Sequence, residues 1–144
     1  MATQTAAASI RTYLEGALPA VLWRWENELQ DAPEPYDGGG DAVAWAMVEF
    51  TGDSLDQESI GAGERISNRW VERGVVFVHV FSPAGSGSAA GRTLAGQVSD
   101  AFRAVSELTP AITFERISIG LGDNESPDGA WWRLPMTVAW KREL

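Results

Sequence analysis

The apolar segment at residues 75–81 constrains the fold more strongly than any other part of the chain. Its odd and even positions are both apolar, and His79 is the exception. A strand with two apolar faces is typically covered on both sides. We therefore predict a central strand over residues 70–81, in which His79 is a packed side chain and not a catalytic base. The length of 144 residues predicts one domain.

Three other segments predict further long strands. Residues 43–50 are apolar on both faces, and residues 131–141 alternate between two faces. Residues 112–121 change phase after Phe114, which indicates a β-bulge. Pro135 lies in the 131–141 segment and has no N–H to donate, so we expect that strand at an edge of the sheet.

Apolar residues at helical spacing predict two helices. The first has an apolar stripe from Ile10 to Leu18, and a short extended piece at residues 21–27 follows it. The second is predicted to begin after Ser88, which we expect to be its N-cap. The predicted fold class is α+β: a single domain over residues 1–144, with helices packed on a four-stranded, mostly antiparallel sheet.

The connection between two of the predicted strands is unusually long. Residues 52–69 are polar and contain glycine. Connections of this length are uncommon in compact domains and are often functional or mobile. We predict either a mobile loop or a long hairpin-like arm, and we call residues 52–69 the arm from here on.

The net charge of −9 arises in one part of the chain. Residues 25–64 contain 11 of the 20 acidic residues and no basic residue, whereas the other 104 residues hold 9 acids and 11 bases, a net of +2. This balance argues against binding of nucleic acid or an anionic membrane through general basicity. Two interpretations remain open: solvated loops, or an acidic surface that faces a basic partner or lines a channel.

The residue types that several common active sites need are scarce. With no cysteine and one histidine, the chain has no disulfide, thiol nucleophile or multi-histidine metal site. Residues 85–90 fit a dinucleotide-binding fingerprint, but no acid ends a second parallel strand, so a simple strand-to-helix turn is favoured. Glu49 is interpreted as a rim residue. We expect no enzyme activity, catalytic residue, cofactor or metal, and no signal peptide or membrane span.

The tryptophan and arginine content indicates which kinds of contact the surface makes. The chain has seven tryptophans, and it has ten arginines but one lysine. Strand alternation predicts three tryptophans in the core, which are Trp45, Trp132 and Trp140. It predicts three others at the surface, which are Trp23, Trp70 and Trp131. Tryptophan and arginine are enriched in protein interfaces, so the composition favours subunit assembly. A surface that stacks a sugar or another ligand is the alternative.

A series of short phrases resembles the tail terminator (tail completion) proteins of long-tailed phages and prophage-like particles. The first phrases are Trp-Glu-Asn at 25–27, and Phe-Thr-Gly-Asp-Ser at 50–54 followed by Ser-Ile-Gly at 59–61. The next is a segment at 73–87, in which an apolar strand that begins with Arg-Gly is followed by Ser-Pro-Ala-Gly-Ser-Gly. The last is Gly-Ala-Trp-Trp at 129–132. Their order spans roughly residues 8–141. Ser82 where valine is common, Ile60 in place of leucine, and fewer basic residues in the arm depart from the family pattern.

The resemblance implies a structural virion protein of the tail, assembled in the host cytoplasm. Such proteins form a ring, typically of six subunits, on the finished tail tube. The ring ends polymerisation of the tube and offers the surface that joins the head. Its implied partners are further copies of itself, the tail tube protein and a neck or head-completion protein, and DNA passes through without specific binding.

We predict contacts with neighbouring subunits or the tube at the Trp-Glu-Asn phrase, along the arm and at the last strand. The candidate residues are Trp25, Glu26, Asn27, Asp53, Asp56, Glu58, Ile60, Arg65, Arg69, Trp70 and Trp131. Two alternatives stay open: a head-completion or neck protein of the same particle, and a small ligand-binding or enzymatic α+β domain.

Overall fold

The computed structural model describes residues 3–124 and 129–144, without the side chain of Asp53. The two helices and five strands of this part of the chain are α1 (Gln4–Ala17), β1 (Trp23–Trp25), β2 (Trp45–Gln57), β3 (Trp70–Pro83), α2 (Ala89–Ala104), β4 (Ile112–Ile119) and β5 (Trp131–Glu143). The predicted α+β class is confirmed. Ser88 is the N-cap residue of α2, although its side chain makes no capping hydrogen bond.

The described strands form one sheet in the order β1-β2-β3-β5-β4. The prediction of four strands is wrong, because the short piece after α1 joins the sheet as β1. It runs parallel to β2, and the other three pairings are antiparallel. The Ala46 N–H donates to the Leu22 carbonyl, and the Glu26 N–H donates to the Val48 carbonyl. Three residues therefore suffice to add a strand.

The strand β3 lies in the middle of the sheet, as its two apolar faces predict. The prediction that the Pro135 strand lies at an edge is wrong, because β5 lies between β3 and β4. In an antiparallel pair, the N–H and C=O of one residue point toward the same neighbour. The Pro135 carbonyl accepts from the Gly120 N–H at 2.8 Å, just beyond the end of β4. The missing N–H therefore faces the place where β4 stops.

Both helices pack on one face of the sheet. The helical side chains Ile10, Leu14 and Phe102 are almost completely buried against Val78, Trp140 and their neighbours. Full burial of each large apolar side chain stabilises the fold by about 1.5–3 kcal/mol. This shared core fixes α1 and α2 on the sheet.

The opposite face carries a smaller aromatic cluster. The Trp45 ring stacks on Phe81 with centroids 4.4 Å apart, and it meets Trp131 edge-on at 5.7 Å. His79 is buried on this face, and its Nε2 lies 3.0 Å from a carboxylate oxygen of Glu49. His79 is therefore a packed strand residue, as predicted, and half-exposed Glu49 lies at the rim.

The tryptophans follow the predicted pattern only in part. Trp45 and Trp140 are buried, and Trp132 packs partly buried against the main core. The surface positions predicted for Trp23 and Trp131 are wrong, since both are buried. Trp23 lies in the core because β1 is a strand of the sheet, and Trp131 is covered within the aromatic cluster of the opposite face.

Two strands contain irregular pairing. The register of β4 against β5 shifts between Phe114 and Arg116, which confirms the predicted bulge. The register of β2 against β3 shifts between Gly52 and Ser54. A bulge bends its strand and increases the local twist. The second bulge lies at the start of the arm.

Candidate functional site: the arm and the acidic turn

The arm is a continuation of the β2–β3 hairpin. Beyond the bulge, Leu55 pairs with Glu72 and Gln57 pairs with Trp70. Of the two interpretations of residues 52–69, the hairpin-like arm is therefore confirmed. Its tip, residues 58–69, projects past the last paired residues of the sheet.

The tip is closed by hydrogen bonds of its own. The Glu58 N–H donates to the Arg69 carbonyl at 2.8 Å, and the Arg69 N–H donates to the Ser59 hydroxyl at 2.7 Å. The Ala62 N–H donates to the Asn68 side-chain oxygen at 3.0 Å. Because side chains accept the backbone donors of this loop, the tip has a defined shape.

Ion pairs run along one side of the arm. Arg73 lies 3.4 Å from Asp56 and 3.3 Å from Glu58, and Arg69 lies 3.9 Å from Glu58. All these side chains are at least one-third exposed, so each pair stabilises the arm by about 1 kcal/mol or less. In the described residues, no carboxylate lies within ion-pair distance of Arg65, which donates to the Gln57 side chain and lies over the Trp70 ring at 5.1 Å.

An open apolar cavity lies where the tip meets the body of the sheet. It has a volume of about 500 Å³ and is lined by Leu55, Arg65, Ile66, Asn68, Trp70 and Leu144. Ile66 is 82% exposed, and Ile60 at the tip is 89% exposed. Apolar side chains gathered in an exposed concavity are typical of a contact site for a partner. Two of the lining residues are joined by a hydrogen bond, in which the Trp70 indole N–H donates to the Arg65 carbonyl at 3.1 Å.

A buried carboxylate anchors the base of the arm. Glu72 is completely buried, and its carboxylate accepts from the Thr3 N–H at 2.6 Å and the Arg142 guanidinium at 3.4 Å. The network ties β3 to the start of α1 and to β5. The sequence prediction missed Glu72. Alternation along β3 could have indicated its burial, because Glu72 has an even number like Val76 and Val78, whose side chains face the core.

The Trp-Glu-Asn phrase forms a turn at the end of β1. Trp25 is buried, stacks on Phe50 and carries the Arg11 guanidinium 4.9 Å from its ring centre. The Glu26 carboxylate accepts from the Phe50 N–H at 2.9 Å, and Asn27 has a positive φ of 55°. Trp25 is therefore a core residue, whereas Glu26 and Asn27 are exposed.

The predicted contact residues lie in three separate regions. The first region is the arm with the adjoining first residue of β3, and it contains Asp56, Glu58, Ile60, Arg65, Arg69 and Trp70. The second is the end of β1 and the turn after it, with Trp25, Glu26 and Asn27. Trp131 pairs with Pro83 at the opposite end of β3 from Trp70. The 14 residues of β3 span roughly 45 Å, so Trp131 is remote from the arm. The side chain of Asp53 lies outside the described residues.

Basic side chains from elsewhere in the chain neutralise part of the acidic segment at residues 25–64. Arg11 donates to Glu28 at 2.8 Å and to Glu15 at 2.7 Å. These hydrogen bonds, first to Glu28 and then to Glu15, raise the pKa of Arg11 above its ordinary value. Among the described side chains of this segment, six exposed acids have no cation at ion-pair distance: Glu26, Asp31, Glu34, Asp37, Asp41 and Glu64. Four of these six lie in the loop at residues 31–41.

The segment at residues 85–90 covers most of the turn between β3 and α2 and the first two residues of α2. The next strand, β4, is separated from β3 by the antiparallel β5. A dinucleotide site of the expected kind needs adjacent parallel strands, so the topology does not support one. Residues 3–124 and 129–144 contain no group of three metal-binding side chains and no helix long and apolar enough to cross a bilayer.

Two comparisons with known proteins found matches, one that shows the family and one that shows the fold. The sequence model of a family described as phage tail terminator protein matches residues 37–140. A solved structure without a functional name shares the fold, with a TM-score of 0.56, 20% sequence identity and coverage of 94% of each chain. None of the curated protein sequences compared with the chain matches it.

Proposed function

Because the chain belongs to the phage tail terminator family, a family of structural proteins of the virion tail, we propose that it forms a ring of six subunits on the end of the finished tail tube. The ring ends tube polymerisation and offers the surface to which a neck or head-completion protein binds. The chain is not an enzyme in this proposal, and it needs no cofactor.

The arm is the observation that carries this proposal. A closed ring uses heterologous contacts, in which one patch of a subunit meets a different patch of its neighbour. The arm offers one such patch, because Ile66 is exposed in the wall of the apolar cavity and Ile60 is exposed at the tip. The network around Glu72 holds the base of the arm to α1 and β5, so the patch is held at a defined angle.

We also propose that the acidic loop at residues 31–41 faces the channel of the ring. Its carboxylates at Glu34, Asp37 and Asp41 are exposed and without a cation among the described residues. DNA carries a high density of negative charge, so a negative wall lets it pass without binding. Replacement of these acids by arginine is expected to slow DNA release from the particles, and normal release would contradict this role of the loop.

Controlled polymerisation of the tail tube tests the main proposal. Purified chain is added to tube subunits of the same particle while they polymerise, and tube lengths are measured by electron microscopy. We expect shorter tubes with a ring on one end at a small molar fraction of the chain. Tubes of unchanged length and uncapped ends would overturn the proposal.

Matched variants connect that result to the arm. Ile66→Asp places a charge in the cavity, and Leu121→Asp makes the same kind of change at a leucine that is 90% exposed elsewhere. We expect Ile66→Asp to abolish capping and Leu121→Asp to retain it. A neck protein would instead bind only to tubes that another protein has already capped, which separates that alternative from the proposal.

A further inference from the structure

An exposed leucine stands on the turn after β1. Leu29 is fully exposed, at 106% of its reference area. A fully exposed leucine is unremarkable on a mobile loop, but the turn around Leu29 is held on both sides. Arg11 donates two hydrogen bonds to Glu28 at 2.8 and 3.0 Å, and Arg24 donates to the Asp31 carbonyl at 2.9 Å.

The backbone of this turn is also fixed. The Glu28 N–H donates to the Trp25 carbonyl, and Asn27 takes the left-handed conformation that such a turn needs. Trp25 itself is buried in the core. Leu29 is therefore presented by a supported turn, as a projecting apolar side chain.

The arm cavity offers a matching recess. Its apolar walls include Leu55, Ile66 and Trp70, and about 500 Å³ is ample for a leucine side chain with its flanking backbone. The residues at the rim complement the charge of the turn. Arg65 has no carboxylate at ion-pair distance in the described residues, and the carboxylate of Asp31, two residues from Leu29, has no cation there.

We propose that Leu29 of one copy enters the arm cavity of the next copy, with Asp31 close to Arg65. This inference rests on the proposed ring and identifies the two patches that meet in it. The turn and the cavity lie on different parts of the chain, so the contact is heterologous and repeats around the ring. The more distant part of the acidic loop, including Asp37 and Asp41, stays free to face the channel.

Cysteine cross-linking tests this pairing directly, because the chain has no cysteine of its own. The double variant Leu29→Cys/Ile66→Cys is assembled into tails in cells, and the purified tails are oxidised. Both positions are highly exposed, so folding is preserved. We expect a ladder of covalent oligomers up to the closed ring on a non-reducing gel. A mixture of the two single variants should give dimers only.

The matched control is Leu121→Cys/Ile66→Cys, in which a different exposed leucine carries the thiol. Cross-links in the control and none in the Leu29 pair would overturn the proposal in favour of another occupant of the cavity. Absence of cross-links in both pairs would also overturn it. The ring itself is judged by the capping of tubes by the unmodified chain, so failure of the two proposals can be told apart.

Truncation of the leucine gives a second measurement. Leu29→Ser is expected to raise the concentration needed for half-maximal tube capping by about 10- to 100-fold, the factor that burial of a leucine supplies. Leu121→Ser should leave that concentration unchanged. An unchanged concentration for Leu29→Ser would contradict the contact.

Discussion

Gly74 provides a sharp test of how the base of the arm is packed. It pairs with Gly52 in the sheet, directly before the β2 bulge. A Cβ added at Gly74 would lie 2.7 Å from a ring carbon of Trp140 and 2.9 Å from the Thr51 carbonyl oxygen. Trp140 is almost completely buried and Thr51 contributes backbone, so neither neighbour can move away easily.

The expected change for Gly74→Ala is therefore a loss of stability. Overpacking of a core typically costs about 1–3 kcal/mol, whereas the loss of unfolded-state entropy on replacing glycine by alanine gains only about 0.4–1 kcal/mol. The steric cost is larger. For a domain of about 150 residues, each kcal/mol lowers Tm by about 4 °C, and urea unfolding measures the free energy directly.

Gly96→Ala is the matched control. Gly96 lies inside α2, and an added Cβ would meet nothing within 4 Å. The same chemical change should therefore stabilise the protein there by about 0.4–1 kcal/mol, since alanine favours the helix. Opposite signs at the two glycines are expected. A neutral or stabilising Gly74→Ala would refute the packing described for the base of the arm.

Three further changes test other parts of the fold by urea unfolding. Phe102→Ala should cost about 3–5 kcal/mol, because the buried ring meets Phe114 edge-on at 4.8 Å, and a cost below 1 kcal/mol would contradict its place in the core. Glu72→Gln should lower the free energy of unfolding by about 1–3 kcal/mol, because it weakens buried hydrogen bonds. The control Glu115→Gln changes a half-exposed carboxylate and should lower it by less than about 1 kcal/mol, so equal losses would contradict the anchoring role of Glu72. Arg73→Met should cost about 1 kcal/mol or less and have a smaller effect in high salt, so a large, salt-independent cost would argue against exposed ion pairs along the arm.

Patterns within single segments predicted much of the fold. The two apolar faces of residues 75–81 predicted the central strand, and the phase change after Phe114 predicted the β4 bulge. These features depend on alternation along one strand, which a sequence displays directly.

The errors arose where pairing between distant segments decides the structure. Whether a three-residue piece such as β1 joins a sheet depends on the edge that β2 offers to it. Pro135 is tolerated inside the sheet because β4 ends opposite its missing N–H, and the length of β4 relative to β5 is not visible in the β5 sequence.

The candidate site was predictable in outline and not in detail. The length and polarity of residues 52–69 indicated the arm, and the structure confirms the hairpin. The apolar cavity was not predicted, because it joins Leu55 and Ile66 to Leu144 at the other end of the sequence. The anchoring of Glu72 by Thr3 and Arg142 likewise needs tertiary contacts.

The length distribution of tails made without this chain tests the central claim most directly. Particles are produced from a genome that lacks its coding sequence, and tails are measured by electron microscopy, with the unmodified chain supplied in trans as the control. If the chain ends tube growth, tails without it are overlong and headless, and supply in trans restores a single length. Tails of normal length joined to heads in its absence would contradict the proposed role.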